Sequence, residues 1–298
     1  MDQQTLRARA IALYDDFTHV HLDRRRFFSE LTRLTGGVAA AQALAMSIAA
    51  DPAAAAIIAE NDPRIWSRVA TLDTSQRPRG YLALPAEAMT HFAAHKGKLG
   101  YVLVIHENRG LQPYTRDVAR RLAVAGFGAL AIDLLSPYGG TPADEDKARQ
   151  EIGQLNLQSA AANCLDAIGW LKQGALCNGK VGVLGFCWGG AMVNRLAVAA
   201  GNAINAAVAF YGPTPDPAEA AKVKVPMLLH YAGNDERVDE GAKAWVPALK
   251  AAHVDVTSYT YPGVEHAFHN DTAAARYNKP AAELAWSRTI AFFKERLS

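Results

Sequence analysis

The sequence predicts an α/β fold, a mostly parallel central sheet with helices on both faces, preceded by an N-terminal helical segment. Three observations carry that expectation. From Pro63 onward, short apolar β-rich runs alternate with longer stretches of helical periodicity. No internal repeat or low-complexity linker interrupts the alternation, and strands alternating with helices favour parallel pairing. The chain has 298 residues, 50% of them hydrophobic and 20% charged, which is enough apolar material for a substantial core.

Taken in order, the first element is a segment spanning residues 1–62. Residues 1–30 are charge-rich, whereas residues 36–59 are mostly Ala with scattered larger apolar residues. Two readings fit. In one, Asp23-Arg24-Arg25-Arg26-Phe27-Phe28 resembles a twin-arginine export signal with Ser47-Ile48-Ala49 as a small-x-small cleavage site, which implies a periplasmic protein. In the other, residues 3–16 and 27–48 are amphipathic helices packed on the main domain of a cytoplasmic protein. A single domain of residues 63–298 follows. Its strands are expected at 101–105, 128–132, 180–186, 206–210, 226–231 and 254–261, and its helices at 114–125, 144–171, 191–200, 240–252 and 281–296. In such a sheet the functional groups gather at the carboxyl ends of the strands.

Composition narrows the function classes. The 31 Lys and Arg are interspersed with 29 Asp and Glu, a net charge of +2, which disfavours nucleic acid as a partner. No run of 18 apolar residues suggests a conventional membrane span. Cys164, Cys177 and Cys187 are odd in number and form no CxxC pair, so neither a disulfide framework nor a thiolate metal cluster is expected.

The strongest local motif is Gly185-Phe186-Cys187-Trp188-Gly189-Gly190, between an apolar strand and a helical pattern. It reads as a nucleophile elbow, in which small residues two positions either side let the backbones close while the nucleophile projects from the sheet edge. Cys187 is the candidate nucleophile; the alternative is a buried structural cysteine. On such an elbow the acid follows a later strand and the histidine the last one. Asp235 and His266 occupy those positions, with Asp239 and His269 as competitors. An imidazole at His266 would take the thiol proton, and the carboxylate would hold its tautomer.

The run 102–105 ends in His106-Glu107-Asn108-Arg109-Gly110, where half of an oxyanion hole is expected. The backbone N–H groups of Asn108 and Trp188 are the candidates. Glu107 is unusual, since a carboxylate near a thiolate opposes its formation unless it takes the thiol proton or meets an arginine. The alternative for Glu107 and Arg109 is a structural pair at a helix start.

Together, His106-Glu107-Asn108-Arg109-Gly110-Leu111, the elbow, the Asp235 turn and Pro262-Gly263-Val264-Glu265-His266-Ala267-Phe268 resemble the dienelactone hydrolase (carboxymethylenebutenolidase) family of α/β-hydrolases, over residues 65–298. The resemblance implies a Cys187, Asp235 and His266 triad, with Glu107 as the glutamate that accepts the thiol proton on activation. Where the best-known members carry a carboxylate-binding arginine, four residues after the histidine, this chain has Asn270. An amide lacks the bidentate, charge-assisted contact of a guanidinium. Arg109, Tyr138, Phe268 and Asn270 are the candidate substrate contacts.

The expected activity is hydrolysis of a small carboxylic ester or lactone through an acyl-enzyme, with no metal or organic cofactor. Acyl transfer, thioester hydrolysis or attack on a phosphate ester at the same site are alternatives, as is a non-catalytic thiol sensor.

Overall fold

A computed structural model of the chain describes residues 2–19, 22–49 and 56–298. The part of the Ala-rich stretch at 50–55 lies outside the described residues.

Three helices open the chain: α1 (Gln3–His19), α2 (Arg24–Thr35) and α3 (Val38–Ile48). Residues 27–48 were expected as one helix, but α2 ends at Gly36, whose φ of 79° lies in the left-handed region that favours glycine. The three helices bury Ile11, Tyr14, Phe17, Phe27, Leu31 and Ile48 against one another. Phe17 and Phe27 stack with centroids 4.7 Å apart. Arg24, Arg25 and Arg26 are exposed, and Asp23 caps α2 by accepting from the Arg26 amide.

The main unit runs β1 (Ile65–Thr71), β2 (Arg79–Pro85), α4 (Ala86–Thr90), α5 (Phe92–His95), β3 (Leu99–Ile105), α6 (Pro113–Val124), β4 (Gly128–Asp133), α7 (Glu145–Gln154), α8 (Leu157–Lys172), β5 (Cys177–Phe186), α9 (Trp188–Ala199), β6 (Ala206–Phe210), β7 (Met227–Ala232), α10 (Glu236–Ala251), β8 (Val256–Tyr261) and α11 (Lys279–Leu297). One eight-stranded sheet has the order β1-β2-β4-β3-β5-β6-β7-β8. Strands β3 to β8 pair in parallel, while β2 runs antiparallel to both β1 and β4. The fold is therefore α/β with a mostly parallel sheet, as the sequence predicts.

Alternation along β3 explains the two layers. Leu103 and Ile105 face one apolar cluster, which includes side chains of α8, α9 and α10, whereas Val102 and Val104 face another, which includes α6 and α11. Being covered on both faces makes the central strands continuous apolar runs.

The expectations for residues 63–298 also differ from the structure. Strands β1 and β2 were not anticipated, because β1 is an edge strand carrying Arg68 and an exposed Val69. The helix expected over 144–171 is two helices, broken where Asn156 turns extended and caps α8 by accepting from the Ser159 amide. Helix α10 starts at Glu236 rather than 240, since its first turn is polar and Asp235 is its N-cap.

Candidate active site

Cys187 sits between β5 and α9 with φ 55° and ψ −115°. Few non-glycine residues adopt such a conformation, and it persists only where the surroundings enforce it. Here the Cys187 amide donates to the Phe210 carbonyl at 3.0 Å, and its carbonyl accepts from the Ala191 amide at 3.0 Å. The flanking glycines are sterically required. A Cβ on Gly185 would stand 2.2 Å from the Gly189 carbonyl oxygen, and one on Gly189 would stand 2.4 Å from the Ile105 carbonyl oxygen. The turn thus places a buried thiol at the N-terminus of α9, where the helix dipole and unpaired amides stabilise negative charge.

Asp235 and His266 lie on the loops after β7 and β8, neighbours of β6 at the same end of the sheet. His266 Nδ1 donates to Asp235 Oδ2 at 2.5 Å, and His266 lines one cavity with Cys187. Both His266 and Asp235 are buried. Burial alone would disfavour the imidazolium, but the negative charges of Asp235 and Cys187 outweigh it and raise the His266 pKa to about 10. For Asp235, burial opposes ionisation and His266 favours it, with the carboxyl held below its ordinary value. The other two thiols have no such setting: burial pushes Cys164 up to about 12 and Cys177 upward as well.

Glu107 follows β3. Its Oε2 accepts from Asn270 Nδ2 at 2.8 Å, and its Oε1 accepts from the Tyr211 hydroxyl at 3.5 Å. The Tyr114 hydroxyl lies 2.6 Å from His269 Nδ1. His269 is accordingly occupied behind the site, with its imidazolium disfavoured first by burial and then by Arg121. Asp239 stands one turn into α10, away from His266's ring nitrogen contact with Asp235.

A small cavity of about 10 Å³ joins Cys187, His266, Glu107, Asn108 and Arg109 to Tyr14 and Thr18 of α1 and to Arg276. Asn108 donates its side-chain amide to the Thr18 carbonyl at 3.0 Å. Arg109 pairs with Glu145 at 3.1 Å and donates to the Tyr14 hydroxyl. Trp188, the first residue of α9, stacks its ring on His106 with centroids 5.7 Å apart.

Two of the expected substrate contacts are placed elsewhere. Phe268 is fully buried, packed on Tyr261 and Tyr211 rather than lining the cavity, and Tyr138 is 64% exposed on a short 3-10 turn at Ser136–Tyr138. Conversely, Tyr14, Thr18, Arg276 and Tyr211 were not singled out from the sequence. Tyr211 was recoverable, because it directly follows the run 206–210 at the carboxyl end of a parallel strand. No local pattern marks Tyr14, whose partner Arg109 is 95 positions away. Among the described residues no group of three or more His, Cys, Asp or Glu is arranged to hold a metal ion.

A parallel sheet with a strained elbow at the end of β5 and an acid and a histidine after the last strands defines an α/β-hydrolase fold. Residues 79–297 match the profile of the dienelactone hydrolase family, and the chain belongs to that family. It is 33% identical over 232 residues to "Protein usf" of Aquifex pyrophilus, covering 74% of this chain and 94% of that protein. It is 31% identical over 232 residues to a putative carboxymethylenebutenolidase of Saccharolobus solfataricus, covering 65% and 88%. Among solved structures, a putative dienelactone hydrolase from Klebsiella pneumoniae superposes with a TM-score of 0.69 at 25% identity, covering 78% of this chain and 99% of that one. The protein is thus a dienelactone hydrolase-like hydrolase.

Proposed function

We propose that this hydrolase cleaves carboxylic esters or lactones through a thiol acyl-enzyme, with Cys187 as nucleophile, His266 as acid and base, and Asp235 as its orienting group. The observation carrying this reading is that Cys187 and His266 line one cavity while the far side of the imidazole is hydrogen bonded to Asp235. Glu107, which lines the same cavity, accepts the thiol proton on activation.

The steps follow from the chemistry of these groups. The Cys187 thiolate attacks the carbonyl carbon, and the oxyanion that forms is stabilised by the backbone N–H groups of Trp188 and Asn108. Collapse expels the alkoxide, which takes the proton from the His266 imidazolium and leaves a thioester. Water then gives a proton to neutral His266 as it attacks the thioester, and the Cys187 thiolate departs with the carboxylic acid released. In a lactone, acid and alcohol stay in one product. Residues 63–298 carry this chemistry, and the helices within 1–62 supply a cover. Because Asn270 binds Glu107, it is committed to that carboxylate rather than to a substrate's.

The test is steady-state hydrolysis of p-nitrophenyl acetate and a simple lactone by the full chain beside Cys187→Ala, both checked for folding by circular dichroism. Turnover is expected in the first protein only. Equal rates in both would overturn the role of Cys187.

A further inference from the structure

The cavity at Cys187 is too small for most substrates by itself. Sites for organic ligands commonly enclose about 300–1,000 Å³, whereas this one has about 10 Å³. It has no room for a substrate's chain. A second space adjoins it. Tyr14 and Arg109 line both the cavity and a groove of about 260 Å³ formed by Phe17, Phe27, Phe28, Ala45 and Met46, with Arg24 and the acidic residues 144–146 beside them.

The partition between the two spaces is built by side chains. The Tyr14 ring meets two guanidinium groups, Arg109 5.7 Å and Arg276 5.3 Å from its centroid. Its hydroxyl takes a hydrogen bond from Arg109, which is also held by Glu145. The tyrosine is buried, and it and Arg109 are the two side chains that the groove and the cavity share. On the groove side, Met46 is 78% exposed on α3, a large apolar side chain left to water. Arg24 pairs with Asp146 at 2.7 Å and Arg109 with Glu145, while Asp144 accepts from the Lys147 amide at the start of α7. The groove therefore offers apolar contact and no excess positive charge for an ionised carboxylate.

We propose that this groove is the subsite for the apolar chain of the substrate ester, with Tyr14 and Arg109 as the gate between the groove and Cys187. This assignment rests on the reading of Cys187 as the nucleophile. The chain belongs to the acyl or to the alcohol part of the ester; either presents the same methylene surface. Each buried methylene then contributes up to about fourfold in kcat/KM.

The experiment uses the full chain, with p-nitrophenyl acetate and octanoate as the acyl arm and ethyl and octyl acetate as the alcohol arm. In one arm the long substrate is expected to be preferred. Met46→Glu, a change at an exposed position, places a charge in the groove and is expected to lower the long-to-short ratio of kcat/KM at least tenfold in that arm alone. Ala45→Trp fills the groove and is expected to act in the same direction, whereas Tyr14→Ala opens the gate and raises the ratio. The arm that responds identifies which part of the ester occupies the groove. Ratios within twofold of the parent in both arms for Met46→Glu and Ala45→Trp, with the acetates still turned over by Cys187, would overturn the subsite and leave the esterase reading intact. Absence of any Cys187-dependent turnover would overturn both.

Discussion

Asn270 donates its side-chain amide to Glu107 at 2.8 Å, so the carboxylate beside Cys187 is anchored by a neutral group. The Tyr211 hydroxyl reaches the other oxygen at 3.5 Å, and Arg109, though beside Glu107, is held by Glu145 and Tyr14. The Glu107 carboxylate is thus held by hydrogen bonds from two uncharged donors.

From this geometry, Asn270→Ala is expected to lower kcat/KM for p-nitrophenyl acetate about tenfold, the equivalent of about 1.4 kcal/mol in the transition state, by releasing Glu107 from its position. Asn270→Asp should cost more, because it sets a second carboxylate against the first. Steady-state kinetics on folded variants checks both. Rates within twofold of the parent for each would show that activation does not depend on where Asn270 holds Glu107.

The pH dependence follows from His266. With the pKa raised to about 10 by Asp235 and Cys187 against the opposing effect of burial, the imidazolium persists below about pH 10 and is lost above it. An alkyl ester needs that proton to expel its alkoxide, whereas p-nitrophenolate leaves unprotonated. The kcat/KM for ethyl acetate should fall as pH rises through about 10, and that for p-nitrophenyl acetate should not, once buffer hydrolysis is subtracted. In Asp235→Asn the alkaline fall should move to lower pH, because the largest charge supporting the imidazolium is gone. Superimposable profiles for the two esters would remove His266 as the acid.

Most of what positions the site was legible because its signals are local. The parallel strands read as apolar runs since both faces are covered, and the elbow read as glycine, cysteine and glycine because two backbone approaches below 2.5 Å admit no side chain. The acid and histidine were legible from their order after β7 and β8. Other features arise from contacts distant in sequence. Tyr14 enters the cavity through the packing of α1, and nothing in residues 3–19 encodes that it meets Arg109. Phe268 was expected at the substrate, but Ala267 takes a φ of 65°, and Phe268 packs among Phe210, Tyr211 and Tyr261. A turn of that kind is fixed by tertiary packing rather than by the residues in it.

Asp117 ties the segment before β1 to α6 and should dominate the stability of that junction. Its carboxylate is 1% exposed, accepts from the amides of Ile57 at 3.2 Å and Ile58 at 2.8 Å, and accepts from Arg121 Nε at 2.7 Å. Arg120, also buried, reaches it at 3.4 Å and donates to the Ile58 carbonyl at 2.5 Å. Removing the carboxylate would strand two amides and leave the two guanidinium groups with Glu60 and Asp271 as their remaining ion-pair partners among the described residues. Breaking a buried pair from one side costs about 3–5 kcal/mol. Asp117→Ala is therefore expected to lose about that much in urea unfolding. Asp117→Asn, which keeps one carbonyl acceptor and the side-chain volume, is expected to lose less. A loss below about 1 kcal/mol in Asp117→Ala would mean that the arginines find their charge balance in Asp271 and Glu60 and that the junction is held by apolar packing alone.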